Sequence, residues 1–91
     1  MSYNLRATHQ YEKDVKRAKK RGLNIDKLID VISMLVNEQT LPVNNHDHAL
    51  SGNYSGYREC HIEPDWLLIY EKCDEIRLIT LVRTGTHSDL F

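Results

Sequence analysis

The chain has 91 residues, 41% apolar and 27% charged, so it forms one domain with room for a single modest core. It contains no apolar run near the roughly 20 residues needed to cross a bilayer, and its start, Met1-Ser2-Tyr3-Asn4-Leu5-Arg6, lacks the apolar stretch of a signal peptide. The net charge of −1 hides an asymmetry: residues 1–30 carry eight Lys/Arg against four Asp/Glu, and residues 31–91 carry four against nine. The expectation is a cytoplasmic protein without a membrane partner, in which Cys60 and Cys73 are reduced thiols.

Residues 3–7 alternate weakly and suit an edge strand. Thr8 is placed to cap a helix running to about Arg21, with Tyr11, Val15 and Ala18 as a narrow apolar stripe and Gly22 ending it. Asn24 is placed to cap a second helix from Ile25 to about Asn37. There Ile25, Leu28, Ile29, Ile32, Leu35 and Val36 share a face, and Pro42 follows the stop. So short a link predicts an antiparallel hairpin. Asn44-Asn45 reads as loop and residues 52–56 as a turn. Three strands follow: Tyr57–Glu63, Trp66–Lys72 and Ile76–Val82, separated by turns at Pro64-Asp65 and Cys73-Asp74-Glu75. Gly85 breaks the last strand, and residues 87–91 suit one helical turn. Helices followed by strands predict α+β. An N-terminal helical hairpin covers one face of a small, largely antiparallel sheet of four to five strands, leaving the other face open.

The chemistry-bearing residues gather in the second half. His46, His48, His61 and His87 lie there, four of the five histidines. Histidine donates and accepts protons near neutral pH. His61 falls on the strand face opposite Cys60 and Ile62, the face that a helical cover leaves open. Asp65 orients or shares a proton with His61 or acts as a base itself, or merely caps its turn. Arg83 suits a phosphoryl oxygen, held bidentately, or simply lies at the surface. Trp66 belongs in the core by its strand, with an indole edge available for stacking. Phe91 closes the core or walls a base pocket. His46-x-His48 shows no recurring metal-ligand spacing, and no metal or other cofactor is expected. The basic strip that includes Lys16, Lys19 and Lys20 suits phosphates, an acidic partner or plain solvent.

Taken together, Asp47-His48-Ala49-Leu50-Ser51-Gly52, Gly56-Tyr57-Arg58, His61-Ile62-Glu63-Pro64-Asp65-Trp66 and Arg83-Thr84-Gly85-Thr86-His87-Ser88-Asp89-Leu90-Phe91 closely resemble the YafQ branch of the RelE/ParE toxin superfamily. The resemblance covers essentially the whole chain. It implies a RelE-like fold and a bacterial type II toxin that cleaves messenger RNA in the ribosomal A site. It also implies a neutralising cognate antitoxin, and an operator DNA contacted mainly by the antitoxin within the complex. Functional positions carry over to His48, His61, Asp65, Trp66, His87 and Phe91, with Arg83 binding phosphate. The acidic second half should repel RNA except where Arg58, Arg83 and the histidines offset it. The implied chemistry is metal-free attack of the 2′-OH, with His87 as acid, Asp65 or His48 as base, and Arg83 with protonated His61 on the phosphate. Ribosome-dependent relatives tend to be basic, whereas this chain is near neutral, so Lys16, Lys19 and Lys20 are expected to carry ribosomal affinity. The alternatives are a ParE-like gyrase inhibitor, whose branch lacks the histidine/aspartate set, and an inactive co-repressor.

Overall fold

Two small polar side chains start the helices, as their positions in the sequence predict. In the computed structural model, which describes residues 2–91, the Thr8 hydroxyl accepts the Tyr11 N–H and opens α1 (His9–Lys20). Asn24 accepts the Asp26 N–H and opens α2 (Ile25–Val36). Gly22, at φ +80°, closes α1: its N–H reaches the Lys19 carbonyl and that of Leu23 reaches Ala18. This paired pattern satisfies carbonyls that the helix itself leaves unbonded. The same pattern ends α2, with Glu38 at φ 60° in the left-handed position that glycine usually takes.

The sheet has five strands in the order β1-β5-β4-β3-β2, where β1 is Asn4–Ala7, β2 His48–Ala49, β3 Arg58–Glu63, β4 Trp66–Cys73 and β5 Leu78–Gly85. Only the β1–β5 pair is parallel. A terminal turn of helix, α3 (His87–Leu90), follows β5. The fold class read from the sequence therefore holds. Two details differ. The two-residue β2 is too short to leave a period, and β5 lies two to three residues later than its β-branched run indicates. Ile76, 63% exposed, and Arg77, at φ 52°, belong to the turn instead.

The main core lies between the helices and one sheet face. Tyr11, Ala18, Leu28, Val31 and Leu35 meet Cys60, Trp66, Leu68, Tyr70, Ile79 and Leu81 there. Burial pushes the Cys60 thiol up to about 12, so it is inert at neutral pH. The opposite face is not bare. Leu67 and Ile69 are covered by Leu90 of α3 and by Leu50, Tyr54 and Tyr57 from the β2–β3 connection. A bulge in β5 leaves Val82 without a partner, between the pairs Ile69–Arg83 and Tyr70–Leu81, and Val82 packs into this second cluster.

α1 also replaces a missing strand. β1 pairs β5 only as far as Leu81, so the rest of β5 has an unpaired edge. Thr8 supplies a backbone N–H to the Leu81 carbonyl and a hydroxyl to that of Val82. Asp14, fully buried, accepts the Thr84 N–H. Side chains thus meet backbone groups that would otherwise be buried without partners. No helix of the described residues is long and apolar enough to cross a membrane.

Candidate active site

Strand period places the first half of the site. Along β3, Cys60 and Ile62 face the helices, so Glu59 and His61 face away. His48 on β2 pairs directly with Glu59 and shares its face. The Glu59 carboxylate, almost buried, lies between the two imidazoles: its Oε1 is 3.7 Å from His48 Nε2 and 3.4 Å from His61 Nε2. The other nitrogen of His48, Nδ1, is 2.6 Å from the His46 carbonyl oxygen. Asn45 donates to the His61 carbonyl at 2.6 Å and ties the loop to β3. The His46 ring stands 5.1 Å from that of His61.

The second half comes from two turns. Asp65 lies in the tight β3–β4 turn and His87 opens α3. One oxygen of Asp65 accepts both the His87 backbone N–H, at 3.0 Å, and the His87 Nδ1, at 2.6 Å. These two bonds, the backbone one first, hold the Asp65 carboxyl below its ordinary value. The His61 and His87 rings meet edge-on at 5.8 Å. His48, Glu59, His61, His87 and Asp65 therefore form one continuous string along the sheet rim. Asp65 partners His87 and not His61, which lies nearer to it in sequence.

Arg83 and Phe91 have partners of their own outside this string. The Nε and Nη2 groups of Arg83 grip Asp14 at 2.9 and 3.1 Å. Burial alone would raise the Asp14 carboxyl, but hydrogen bonds from Arg83, Gln10, Thr84 and Arg17 more than offset this and hold it low. This grip fixes one edge of the guanidinium. Phe91 is 61% exposed and stands edge-on to Tyr54 at 5.4 Å, while the Tyr54 hydroxyl donates to the Leu90 carbonyl. The terminal phenylalanine thus offers an aromatic face beside the histidines' helix instead of closing the core.

Residues 3–91 match the family model described as bacterial toxin of type II toxin-antitoxin system, YafQ. The chain is 47% identical over 83 residues to the mRNA interferase toxin YafQ of Escherichia coli K12, spanning 90% of this chain and 88% of that one. The chain belongs to the YafQ family. Its fold superposes on the E. coli DinJ-YafQ toxin-antitoxin complex with a TM-score of 0.90 at 42% identity, covering 100% of this chain and 99% of that one. It superposes equally well on a metal-bound toxin from Helicobacter pylori, with a TM-score of 0.91 at 36% identity over the whole of both chains.

Within this YafQ-type site two expectations need correction. Trp66 offers no stacking surface. It is 2% exposed, and its indole N–H donates to the Thr84 hydroxyl at 2.9 Å, which in turn donates to the Leu67 carbonyl at 2.6 Å. The strand order that puts His61 outward puts Trp66 inward. Arg58 pairs with Tyr70 on the helix-covered face, where its Nε donates to the Tyr70 hydroxyl and its Nη2 lies 3.4 Å from Asp47. It faces away from the histidine string. The basic strip on α1 also divides. Arg17 and Arg21 are engaged by Asp14 and Asp89, while Lys16, Lys19 and Lys20 stay exposed.

Glu59 is not among the candidates that the sequence offers, and His46 drops out there because His46-x-His48 shows no recurring metal-ligand spacing. The signal for Glu59 is its place two residues from His61 on the same strand face. Its role is hidden in the sequence because only the two-residue strand β2 brings His48 opposite it.

Proposed function

We propose that this YafQ-family chain is an mRNA interferase: an endoribonuclease toxin that cuts messenger RNA in the ribosomal A site and is held inactive by a cognate antitoxin. With that antitoxin it represses its own operon, the operator DNA being contacted mainly by the antitoxin. One observation carries the chemistry: His87, fixed by Asp65 through Nδ1, stands against His61, which shares a buried carboxylate with His48.

Cleavage needs a base for the 2′-OH, an acid for the 5′-oxygen and positive groups around the phosphate. The Asp65 carboxylate accepts a proton-bearing Nδ1, so the Nε2 of His87 is the nitrogen that delivers a proton. A carboxyl held below its ordinary value is a poor base near neutral pH, so Asp65 orients His87 and His48 takes the 2′-OH proton. The 2′-oxygen–phosphorus bond forms and the phosphorus–5′-oxygen bond breaks. The 5′-oxygen leaves as a hydroxyl with the proton of His87, and a 2′,3′-cyclic phosphate remains. Protonated His61 and the outer end of Arg83 balance the charge on the phosphate. Glu59 lies between the rings of His48 and His61 and holds them in place. Phe91 and Tyr54 supply a surface on which a base stacks, and Lys16, Lys19 and Lys20 meet ribosomal phosphates. The reading uses no metal.

Purified protein added to a reconstituted translation reaction tests it. The expected result is mRNA cuts at codon positions, undiminished when the protein is treated with a chelator and desalted before it is added, and lost in His87→Ala. A DNA-damage response in cells without mRNA cuts, or cuts lost by the chelator-treated protein and restored by a divalent metal, would overturn it.

A further inference from the structure

α3 is four residues long, far below the about 12–15 residues at which an isolated helix begins to hold itself, yet it carries His87 at one end and precedes Phe91 at the other. Beside the Asp65 bond to the His87 N–H and the buried Leu90, Asp89 fastens it. The Asp89 carboxylate accepts the Thr86 backbone N–H at 2.9 Å while the Thr86 hydroxyl accepts the Asp89 N–H at 3.1 Å, so the two close a reciprocal cap around the first turn. The same carboxylate is gripped by α1: Arg21 Nη1 lies 2.6 Å from Oδ2, Arg21 Nη2 lies 3.2 Å from Oδ1, and Arg17 Nη1 stands 3.6 Å away. Gly85 records how closely Asp89 is seated. A Cβ added there would stand 2.8 Å from Asp89 Oδ2 and 2.9 Å from its Cβ.

We propose that Asp89 is a positioning residue for the cleavage reaction, joining α1 to α3 so that the His87 imidazole stays aimed between Asp65 and His61. The proposal rests on the reading of His87 as a proton-transfer group. Asp89 makes its polar contacts with Arg21, Arg17 and Thr86, not with the imidazole. Its carboxyl is held strongly ionised, by the Arg21 guanidinium first and the Thr86 N–H second, so the clamp is closed throughout the neutral range. Loss of the clamp frees α3 to fray and spreads His87 over many orientations. Proton delivery suffers, whereas a substrate docked through α1 and the sheet rim is still bound.

The experiment compares wild type with Asp89→Ala, Asp89→Asn, Arg21→Ala, Gly85→Ala and His87→Ala in ribosome-dependent mRNA cleavage. It reads kcat, KM and the pH–rate profile beside the melting temperature. Asp89→Ala should lower kcat at least tenfold with KM within about twofold. Asp89→Asn, which keeps the cap to Thr86 but loses the charge, should fall in between. Arg21→Ala leaves the cap whole and should lower kcat in the same direction. This arm keeps the test alive if Asp89→Ala fails to fold. Gly85→Ala should reproduce the kcat loss by pushing Asp89 aside. In each, the basic limb of the pH profile should change shape, because delivery from a disordered imidazole no longer limits the rate in the same way. Wild-type kcat and pH profile in folded Asp89→Ala, with His87→Ala inactive, would overturn the positioning role alone. A fully active His87→Ala would instead overturn the reading on which it rests.

Discussion

The Nδ1 of His87 and the Oδ1 of Asp65 stand 2.6 Å apart, and the same oxygen takes the His87 backbone N–H. Two bonds from one residue to one oxygen fix both the ring and the start of its helix. Asp65→Asn presents an amide where the carboxylate stood and weakens the two bonds that orient the ring and the helix start. Cleavage should fall by about tenfold or more, short of the about 10²–10⁴-fold expected on removing the proton-transfer group itself in His87→Ala. Single-turnover cleavage of ribosome-bound mRNA measures both. An Asp65→Asn rate equal to wild type would show that Asp65 only shapes its turn.

Trp66→Phe separates a core role from a stacking role. The variant removes the indole N–H that reaches Thr84 and leaves space in a filled cluster, so stability should drop by about 1–3 kcal/mol. Cleavage per folded molecule should stay at the wild-type level, since the ring meets no solvent. Chemical denaturation and a rate assay below the unfolding transition check the two halves of this prediction.

Charge reversal at Lys16, Lys19 and Lys20 should weaken ribosome association and flatten its salt dependence, with the catalytic rate of the bound complex unchanged. Reversal at Arg21 should behave differently, lowering the catalytic rate through Asp89. Binding titrations at several salt concentrations distinguish these surfaces. Equal effects from all four would merge them into one.

The helices were legible because their caps are local: Thr8, Asn24 and Gly22 act within a few residues of where they stand. The β3–β4 hairpin was legible for the same reason, through Pro64-Asp65 and the alternation around His61. What stayed hidden depends on distant partners. β2 has two residues and exists only because β3 offers an edge, so the meeting of His48, Glu59 and His61 leaves no periodic trace. Asp14 reads as one more charge on a solvated helix face, and only the end of β1 at Ala7 creates the unpaired N–H that buries it. Trp66 was misjudged at its edge because an indole N–H needs a partner, and the hydroxyl that supplies it lies on the neighbouring strand. Asp65 was read beside His61 from sequence distance, whereas the turn aims it at α3.

Acid should unfold the protein through its clamped carboxylates. Asp14 and Asp89 are both held below the ordinary 3.8 in the fold. A group depressed in the native state gives its full stabilisation above its unfolded value, and loses it as pH falls through its native value, because the unfolded chain then binds more protons. The melting temperature should therefore be flat from neutral pH to about 5 and fall steeply below about 4. Asp89→Asn should start lower at pH 7 and decline less, so that the two curves converge in acid. Parallel curves would mean that Asp89 contributes no linked ionisation.

The account stands most directly on the ends of the cut RNA. Ribosome-bound mRNA cleaved by the purified protein, freed of metal with a chelator and desalted beforehand, should carry a 2′,3′-cyclic phosphate on the upstream fragment and a 5′-hydroxyl on the downstream one. The same reaction with His87→Ala should give no cut above background. A 5′-phosphate on the downstream fragment, or undiminished cutting by His87→Ala, would contradict acid–base cleavage by the histidine string.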